Sequence, residues 1–400
     1  MDLRKRLARL DQLTRAPAPE PQRPGPAAVR GGAAPDRDLT AVLRDDLGLE
    51  TRETGAGLLW LREDVRPSLR VPAVPLPSLA GILSAGARGA RDLAWEDLLF
   101  LDTETTGLAG GTGTLPFLIG LGWWRDGCFT TQQLFLTGPG REGPLLAALA
   151  EQADRFGAVV TYNGAAFDLP LLRTRARLAR RDDPCAGLPS WDLLPAARRL
   201  WGRGLPDCRQ QTVERSICGR MRGGDDIEGA LIPPVYLAYV RDGTAGLLPS
   251  VLRHNRRDVD GMALMLAAMA GEVAAIARGP AGAGDAWATA WSRALVCERR
   301  RERALAASWA RCLGDAAAAD LPLAGLLDAV RLLKRVADWR AVESLVQRGL
   351  ARWPQDVRLN YEAAVLYEHR LGDPQRALLH ATVLQDRGRQ ARLRARLGAT

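Results

Sequence analysis

An apolar run of four residues, Leu98, Leu99, Phe100 and Leu101, ends directly on two acids, Asp102 and Glu104, and Gly107 closes the stretch. So short and uninterrupted a run marks a fully buried strand, which commits this part of the chain to a sheet. Side chains alternate faces along an extended strand, so residues two apart project from one side and both carboxylates reach one point in space. Two acids on one face repel unless a cation lies between them. Hard divalent ions take oxygen ligands, and a two-metal site draws its carboxylates from several elements. The competing reading is a polar strand end followed by a Thr/Gly turn, and partner carboxylates elsewhere decide between the two.

Residues 115–124 and 128–136 read as strands joined at Asp126-Gly127, a hairpin signal, so three consecutive antiparallel strands are expected. A helix over about 143–156 leads to a strand at 158–162, which breaks at Asn163-Gly164 and opens an arginine-rich helix at Asp168. An acid in a first helical turn is favoured by the helix dipole and by capping. Asp168 also stands where its strand should end beside the first one, and the two readings are compatible. Residues 251–269 carry a strong helical pattern. His254 and Asp258, four apart, share a face of that helix, whereas Asp260 lies well round the cylinder. Asp258 is therefore the better fourth carboxylate. The chain has three histidines, and this one stands one turn from a candidate ligand.

The rest of the chain frames this centre. Leucines at helical spacing over residues 2–14 predict a short basic amphipathic helix, and the Pro-, Ala- and Gly-rich stretch to residue 37 a linker. Residues 38–90 are expected to supply a small cover segment, with one helix near 39–49 and a strand or hairpin around 58–62. From about residue 281 the composition shifts to Ala, Leu, Arg and Trp, with a weak repeat of roughly 34 residues. Residues 323–353 and 357–386 each read as a helix pair, in tetratricopeptide-like (TPR-like) repeats or a plain helical bundle. The net charge is +9, and Lys5 and Lys334 are the only lysines among 55 basic residues. Arginine forks match phosphate oxygens, which favours a nucleic-acid partner, although a GC-rich genome produces the same bias. No uninterrupted apolar run reaches membrane-spanning length and no secretory segment opens the chain, so a cytoplasmic protein is expected. Six cysteines without a Cys-x-x-Cys pair argue against zinc.

Three motifs in order, Asp-x-Glu-Thr-Thr-Gly-Leu from 102, Thr-Tyr-Asn-Gly-x-x-Phe-Asp from 161 and His-Asn-x-x-Asp from 254, resemble the DnaQ-like, or DEDD, exonucleases of the ribonuclease H superfamily. The middle of the chain is similar to the YprB-type ribonuclease H-like proteins. The similar segments are 191–201, 208–215, Asp225-Asp226-Ile227, Ile232-Pro-Pro-Val-Tyr236 and His254-Asn255. The resemblance covers about 98–269 and implies a mixed sheet flanked by helices over 91–280, followed by an all-α TPR-like domain over 281–400. It implies two divalent ions, Mg²⁺ or Mn²⁺, held by Asp102, Glu104, Asp168 and Asp258. The implied activity is 3′–5′ removal of nucleotides from DNA, in repair, with a helicase as protein partner.

In that scheme His254 is a general base or orients the attacking water. Its separation from Asp258 is four residues, where the histidine subclass usually has five, so His254 either reaches the base position by a different route or packs. Thr105, Tyr162, Asn163, Phe167 and Asn255 flank the motifs as expected substrate contacts, with an aromatic stacking on a terminal base. Arg173, Arg175, Arg177, Arg180 and Arg181, with Arg253, Arg256 and Arg257, either contact phosphates or form a solvated basic face. RNA trimming and a non-catalytic nucleic-acid-binding scaffold are the alternatives. The intact carboxylate set argues against the scaffold.

Overall fold

The computed structural model describes residues 39–73, 76, 79, 82–83, 93–107, 113–280, 286–315 and 321–398. The basic helix and linker expected over residues 1–37 lie outside them. The chain divides into two compact units. Among the described residues the first comprises 39–73, 76, 83, 93–107, 113–194 and 209–268, and the second 79, 82, 195–208 and 269 onwards.

The strands of the first unit are β1 (Glu50–Thr54), β2 (Gly57–Arg70), β3 (Leu98–Thr105), β4 (Pro116–Arg125), β5 (Cys128–Phe135), β6 (Ala158–Thr161) and β7 (Ser190–Asp192). They form one seven-stranded sheet in the order β1-β2-β5-β4-β3-β6-β7. The pairs from β1 to β3 are antiparallel, and β3-β6 and β6-β7 are parallel, so the sheet is mixed. β4 lies inside it and buries every residue but Arg125. The β4-β5 hairpin turns through Asp126 (φ 53) and Gly127 (φ 74), the two positive values that such a two-residue turn requires.

β2 pairs with β5 from Trp60↔Phe135 to Arg66↔Phe129, so the segment 38–90 is more than the expected cover. Without β2 the edge of β5 would present unpaired backbone groups. The covering part is α1 (Leu39–Ala41), which runs on as a π-turn over Val42–Asp46 and buries Val42, Leu43, Leu47 and Leu49.

Along the chain the next helices are α2 (Glu142–Ala153), α3 (Asp168–Leu178), α4 (Leu193–Leu200), α5 (Gln210–Ile217), α6 (Ile232–Asp242) and α7 (Leu248–Arg278), of which α4 from Pro195 and α7 from Met269 belong to the second unit. α7 crosses the sheet at close range because β4 carries glycine where they meet. A Cβ on Gly120 would stand 2.3 Å from Asn255 Oδ1, and one on Gly122 2.5 Å from Val259 Cγ1. In register, Gly120 faces Asp102 and Gly122 faces Phe100 on β3, so the approach brings α7 over the acidic half of β3. By length and composition α7 is long and apolar enough to cross a membrane, although charged residues interrupt its apolar run. Of its most apolar stretch, 61% is buried within the protein.

The second unit is helical beyond α7: α8 (Trp287–Arg299), α9 (Arg303–Asp315), α10 (Leu323–Lys334), α11 (Trp339–Arg352), α12 (Val357–His369), α13 (Pro374–Val383) and α14 (Arg387–Gly398). Each packs on the next, as in a stack of helix pairs. Asp338, Asp356 and Asp373 cap α11, α12 and α13 through backbone N–H groups that would otherwise lack acceptors. Arg203, Arg293, Arg352 and Arg370 lie over tryptophan rings, so part of the arginine excess serves packing.

Candidate active site

β3 is buried along Leu98, Leu99, Phe100 and Leu101 and opens towards solvent at its acidic half. Asp102 and Glu104 project there, α3 starts at Asp168 beyond the end of β6, and α7 supplies His254 and Asp258. The loop from β6 to α3 is shaped by Asp192 at the end of β7. Its Oδ1 accepts the N–H of Asn163 (2.8 Å) and its Oδ2 that of Ala165 (3.3 Å). Asn163 takes a positive φ of 68 at the break in direction. The Thr103 hydroxyl donates to Asp168 Oδ1.

One ligand atom each of Glu104, His254 and Asp258 lie within 4.8 Å of one another. Asp102 and Asp168 belong to the same electrostatic unit. Burial first, then the charges of Asp258 and Asp168, push the Asp102 carboxyl well above the usual range. Burial and then Asp102, Asp258, Asp168 and Asp226 do the same to Glu104. Burial raises Asp168 against the Thr103 hydrogen bond, and it raises Asp258 against the opposing charges of His254 and Arg222. Four oxygen donors that repel one another in a desolvated pocket, with an imidazole beside them, are a donor set suited to hard divalent cations.

His254 is held from both sides. Its Nδ1 lies 2.9 Å from Asp226 Oδ1 and its Nε2 3.3 Å from Asp258 Oδ2. With the Nδ1 proton assigned to the Asp226 hydrogen bond, Nε2 is the ring atom that faces the acidic cluster, donating to Asp258 when the ring is protonated and presenting its lone pair when it is neutral. The spacing of four residues is thus met by α7 presenting both side chains to the same point. Asp226 is itself anchored by Arg222 Nη1 at 3.3 Å and Gln211 Nε2 at 3.4 Å on Oδ2, and by Arg257 Nη1 at 3.6 Å on Oδ1. Burial pushes Asp226 up, but the hydrogen bond and charge of His254 with those of Arg222 outweigh it and hold the carboxyl low. Arg222 also donates to Asp258 Oδ1 and to both oxygens of Glu214, a fully buried acid on α5.

Asn255, expected at the substrate, is instead fully buried. Its Nδ2 donates to Asp102 Oδ2 at 2.8 Å and its Oδ1 accepts from Gln133 Nε2 at 2.9 Å, so it orients a carboxylate and cannot reach a ligand. The Thr105 hydroxyl closes the following turn on the Gly107 carbonyl (2.8 Å), and Asn163 serves the loop through its backbone. Tyr162 is half-buried. Phe167, beside Asp168, has 56% of its surface exposed, an open ring at the site.

Part of the arginine row is engaged in ion pairs. Arg175 forms a nearly buried ion pair with Glu142 (2.5 and 2.7 Å) and Arg173 pairs with Asp183 (2.7 Å). Arg253 and Arg257 pair with Asp225, and Arg256 with Asp64. Arg177, Arg180 and Arg181 remain exposed. Asp260 binds Arg66, Arg220 and Thr131 away from the cluster, as its angular position on the helix predicts.

Asp226, Arg222, Glu214 and Asp192 received no role from the sequence. Glu214 stands beside Val213 on the short helix α5, and its full burial is not marked in the sequence. Its partner Arg222 lies beyond the helix end, where no periodicity points to it.

Residues 99–270 match the family model described as RNase H superfamily, and that span includes Asp102, Glu104, Asp168, His254 and Asp258. An uncharacterized protein YprB of Bacillus subtilis (strain 168) is 39% identical over 166 residues, which cover 41% of this chain and 39% of that protein. The match spans about two-fifths of the relative's length. The helices from α8 onward lie outside the family match.

Proposed function

From an RNase H superfamily domain in which repelling carboxylates and a histidine meet, we propose a metal-dependent nuclease: a 3′–5′ exonuclease that removes nucleotides from DNA, in DNA repair. The convergence of Glu104, His254 and Asp258, with the charges of Asp102 and Asp168 added, carries this reading. A module that only binds phosphates gains nothing from negative charge beside them. A hydrolase that uses Mg²⁺ or Mn²⁺ needs such a cluster. Asp102, Glu104, Asp168 and Asp258 would hold two ions, which when bound lower the pKa of a water and stabilise charge on the phosphate and leaving oxygen.

The chain's own groups supply position and proton transfer. His254 accepts the proton of the attacking water at Nε2, and Asp226 keeps the ring proton on Nδ1. Asn255 and Thr103 fix one oxygen each of Asp102 and Asp168. The exposed Phe167 ring stacks on the terminal base. Strand polarity, DNA and repair rest on the ordered motifs that resemble the DEDD exonucleases. In the same reading the domain occupies about 91–280, and the helix pairs of 281–400 are TPR-like repeats that recruit a helicase in the cytoplasm.

The test is release of labelled mononucleotides from matched DNA and RNA single strands, labelled at either end, with Mn²⁺, with Mg²⁺ and with EDTA. Metal-dependent loss from the 3′ end of DNA is the expected result. Faster loss from RNA would move the substrate to RNA. No release from either strand, with binding intact, would replace the enzyme by a scaffold.

A further inference from the structure

The second unit gathers cationic side chains for which the nuclease site has no use. α8 ends on Glu298 and Arg299, and Arg300, Arg301, Glu302 and Arg303 lead into α9. Arg301 adopts the left-handed conformation, φ 64. Its N–H donates to the Glu298 carbonyl and that of Glu302 to the Cys297 carbonyl, both at 2.9 Å. This is the helix-end position that glycine fills without strain, as Gly243 does after α6. An arginine kept there is strained.

Arg301 lines a cavity of about 220 Å³ together with Glu298, Arg303, Ala306, Leu332 and Arg335. Three arginines therefore line it, from the α8-α9 turn, the start of α9 and the end of α10, and of these Arg335 already donates to Glu298. The carboxylate in the lining, Glu298, is already taken. Its Oε1 accepts from Arg331 and Arg335, and its Oε2 from Arg331 at 3.0 Å. Arg301 and Arg303 are exposed, and no hydrogen bond or ion pair to either side chain occurs among the described residues. The cavity is smaller than the ~300–1,000 Å³ of a drug-sized ligand site, so it suits one compact anion. Guanidinium forks match the oxygens of a phosphate and bind it without reading sequence.

We propose that this cavity binds one phosphate of a nucleic-acid backbone, giving the helical unit its own hold on the polyanion. The proposal rests on the nuclease reading only for the identity of that polyanion.

Binding of a labelled single-stranded oligonucleotide to the full chain in EDTA, followed by fluorescence anisotropy at several salt concentrations, tests it. Arg301→Gly removes the side chain and relieves the left-handed backbone, so the variant should melt no lower than the wild type. Its binding should be about tenfold weaker, the loss of one charge-assisted contact. The slope of log affinity against log salt between about 50 and 200 mM should shrink by about 0.7, the value for one phosphate on a single strand. Arg303→Ser should shift both in the same direction, and Arg340→Ser, an exposed arginine on α11, should shift neither.

Unchanged affinity and slope in Arg301→Gly, or an equal loss in Arg340→Ser, would overturn the site. So would poly-glutamate binding that Arg301→Gly abolishes while oligonucleotide binding survives, which would assign the cavity to an acidic protein segment. Failure of the nuclease reading looks different: no nucleotide release with Mn²⁺, but oligonucleotide binding that still depends on Arg301.

Discussion

Asp226→Asn separates a positioned base from a histidine that merely packs. Oδ2 of Asp226 receives two donors, Arg222 Nη1 at 3.3 Å and Gln211 Nε2 at 3.4 Å, whereas Oδ1 faces His254 Nδ1 at 2.9 Å and Arg257 Nη1 at 3.6 Å. An arginine can only donate, whereas a histidine can change tautomer. Arg222 at 3.3 Å is also closer than Arg257 at 3.6 Å, so in the amide the oxygen stays on Arg222 and Gln211 and the NH₂ group turns towards His254. An NH₂ group donates, so Nδ1 must become the acceptor and the ring proton moves to Nε2, which then cannot take a proton from water. The loss is that of a general base, about 10² to 10⁴ in rate, or roughly 3 to 5 kcal/mol of barrier. Single-turnover release of a 3′-terminal nucleotide at saturating enzyme measures it, and KM should change little. Asp225→Asn is the control, since Asp225 is 54% exposed and pairs with Arg257 and Arg253. A folded Asp226→Asn protein within threefold of wild type would refute the tautomer argument and reassign His254 to packing.

Because Asp102, Glu104, Asp168 and Asp258 have folded-state values above their unfolded ones, the metal-free protein should gain stability as pH falls through the raised values. The gain levels off near the unfolded range of about 4. Thermal melts in EDTA across pH check this, and a flat profile would contradict the burial of repelling charges. Mn²⁺ at about a hundred times its dissociation constant should raise stability by about 2.7 kcal/mol in the wild type, and far less in Asp102→Asn, which should also lose nucleotide release. Gly120→Ala should cost about 1 to 3 kcal/mol in urea melts, because the added carbon falls 2.3 Å from Asn255 Oδ1, and it should lower activity by displacing the clamp on Asp102. Arg175→Ala leaves Glu142 nearly buried and unpaired, so a loss of about 3 to 5 kcal/mol is expected, with the metal requirement unchanged.

The strands β3, β4, β5 and β6 were legible because each announces itself over a few residues, whereas the three-residue β7 stands where the sequence reads as helix. Leu98 through Leu101 read as a buried strand, and Asp126-Gly127 between two apolar runs as a hairpin turn. The β1-β2 hairpin was harder. Its four apolar positions, Leu58 to Leu61, suggested a strand, but β2 runs on to Arg70 through a charged, proline-containing stretch that looks like loop until β5 supplies its hydrogen-bond partners. The glycines of β4 carried no visible purpose in the sequence, since their meaning is the approach of Asn255 and Val259 from a helix more than a hundred residues away.

The sequence by itself determined which acids share a face. The twofold alternation of a strand aligns Asp102 with Glu104, and the 3.6-residue period of a helix aligns His254 with Asp258. Both are consequences of backbone geometry within one element. Only the tertiary structure decided what holds those groups: Asn255 on Asp102 across 153 residues, Asp226 on His254 across 28, and Glu214 with Arg222 behind Asp258. It also decided that Arg175 pairs with Glu142 and Arg256 with Asp64. Such pairings follow from which surfaces pack together once the core is buried, and a hydrogen bond between distant segments leaves no period in the chain from which it could be read.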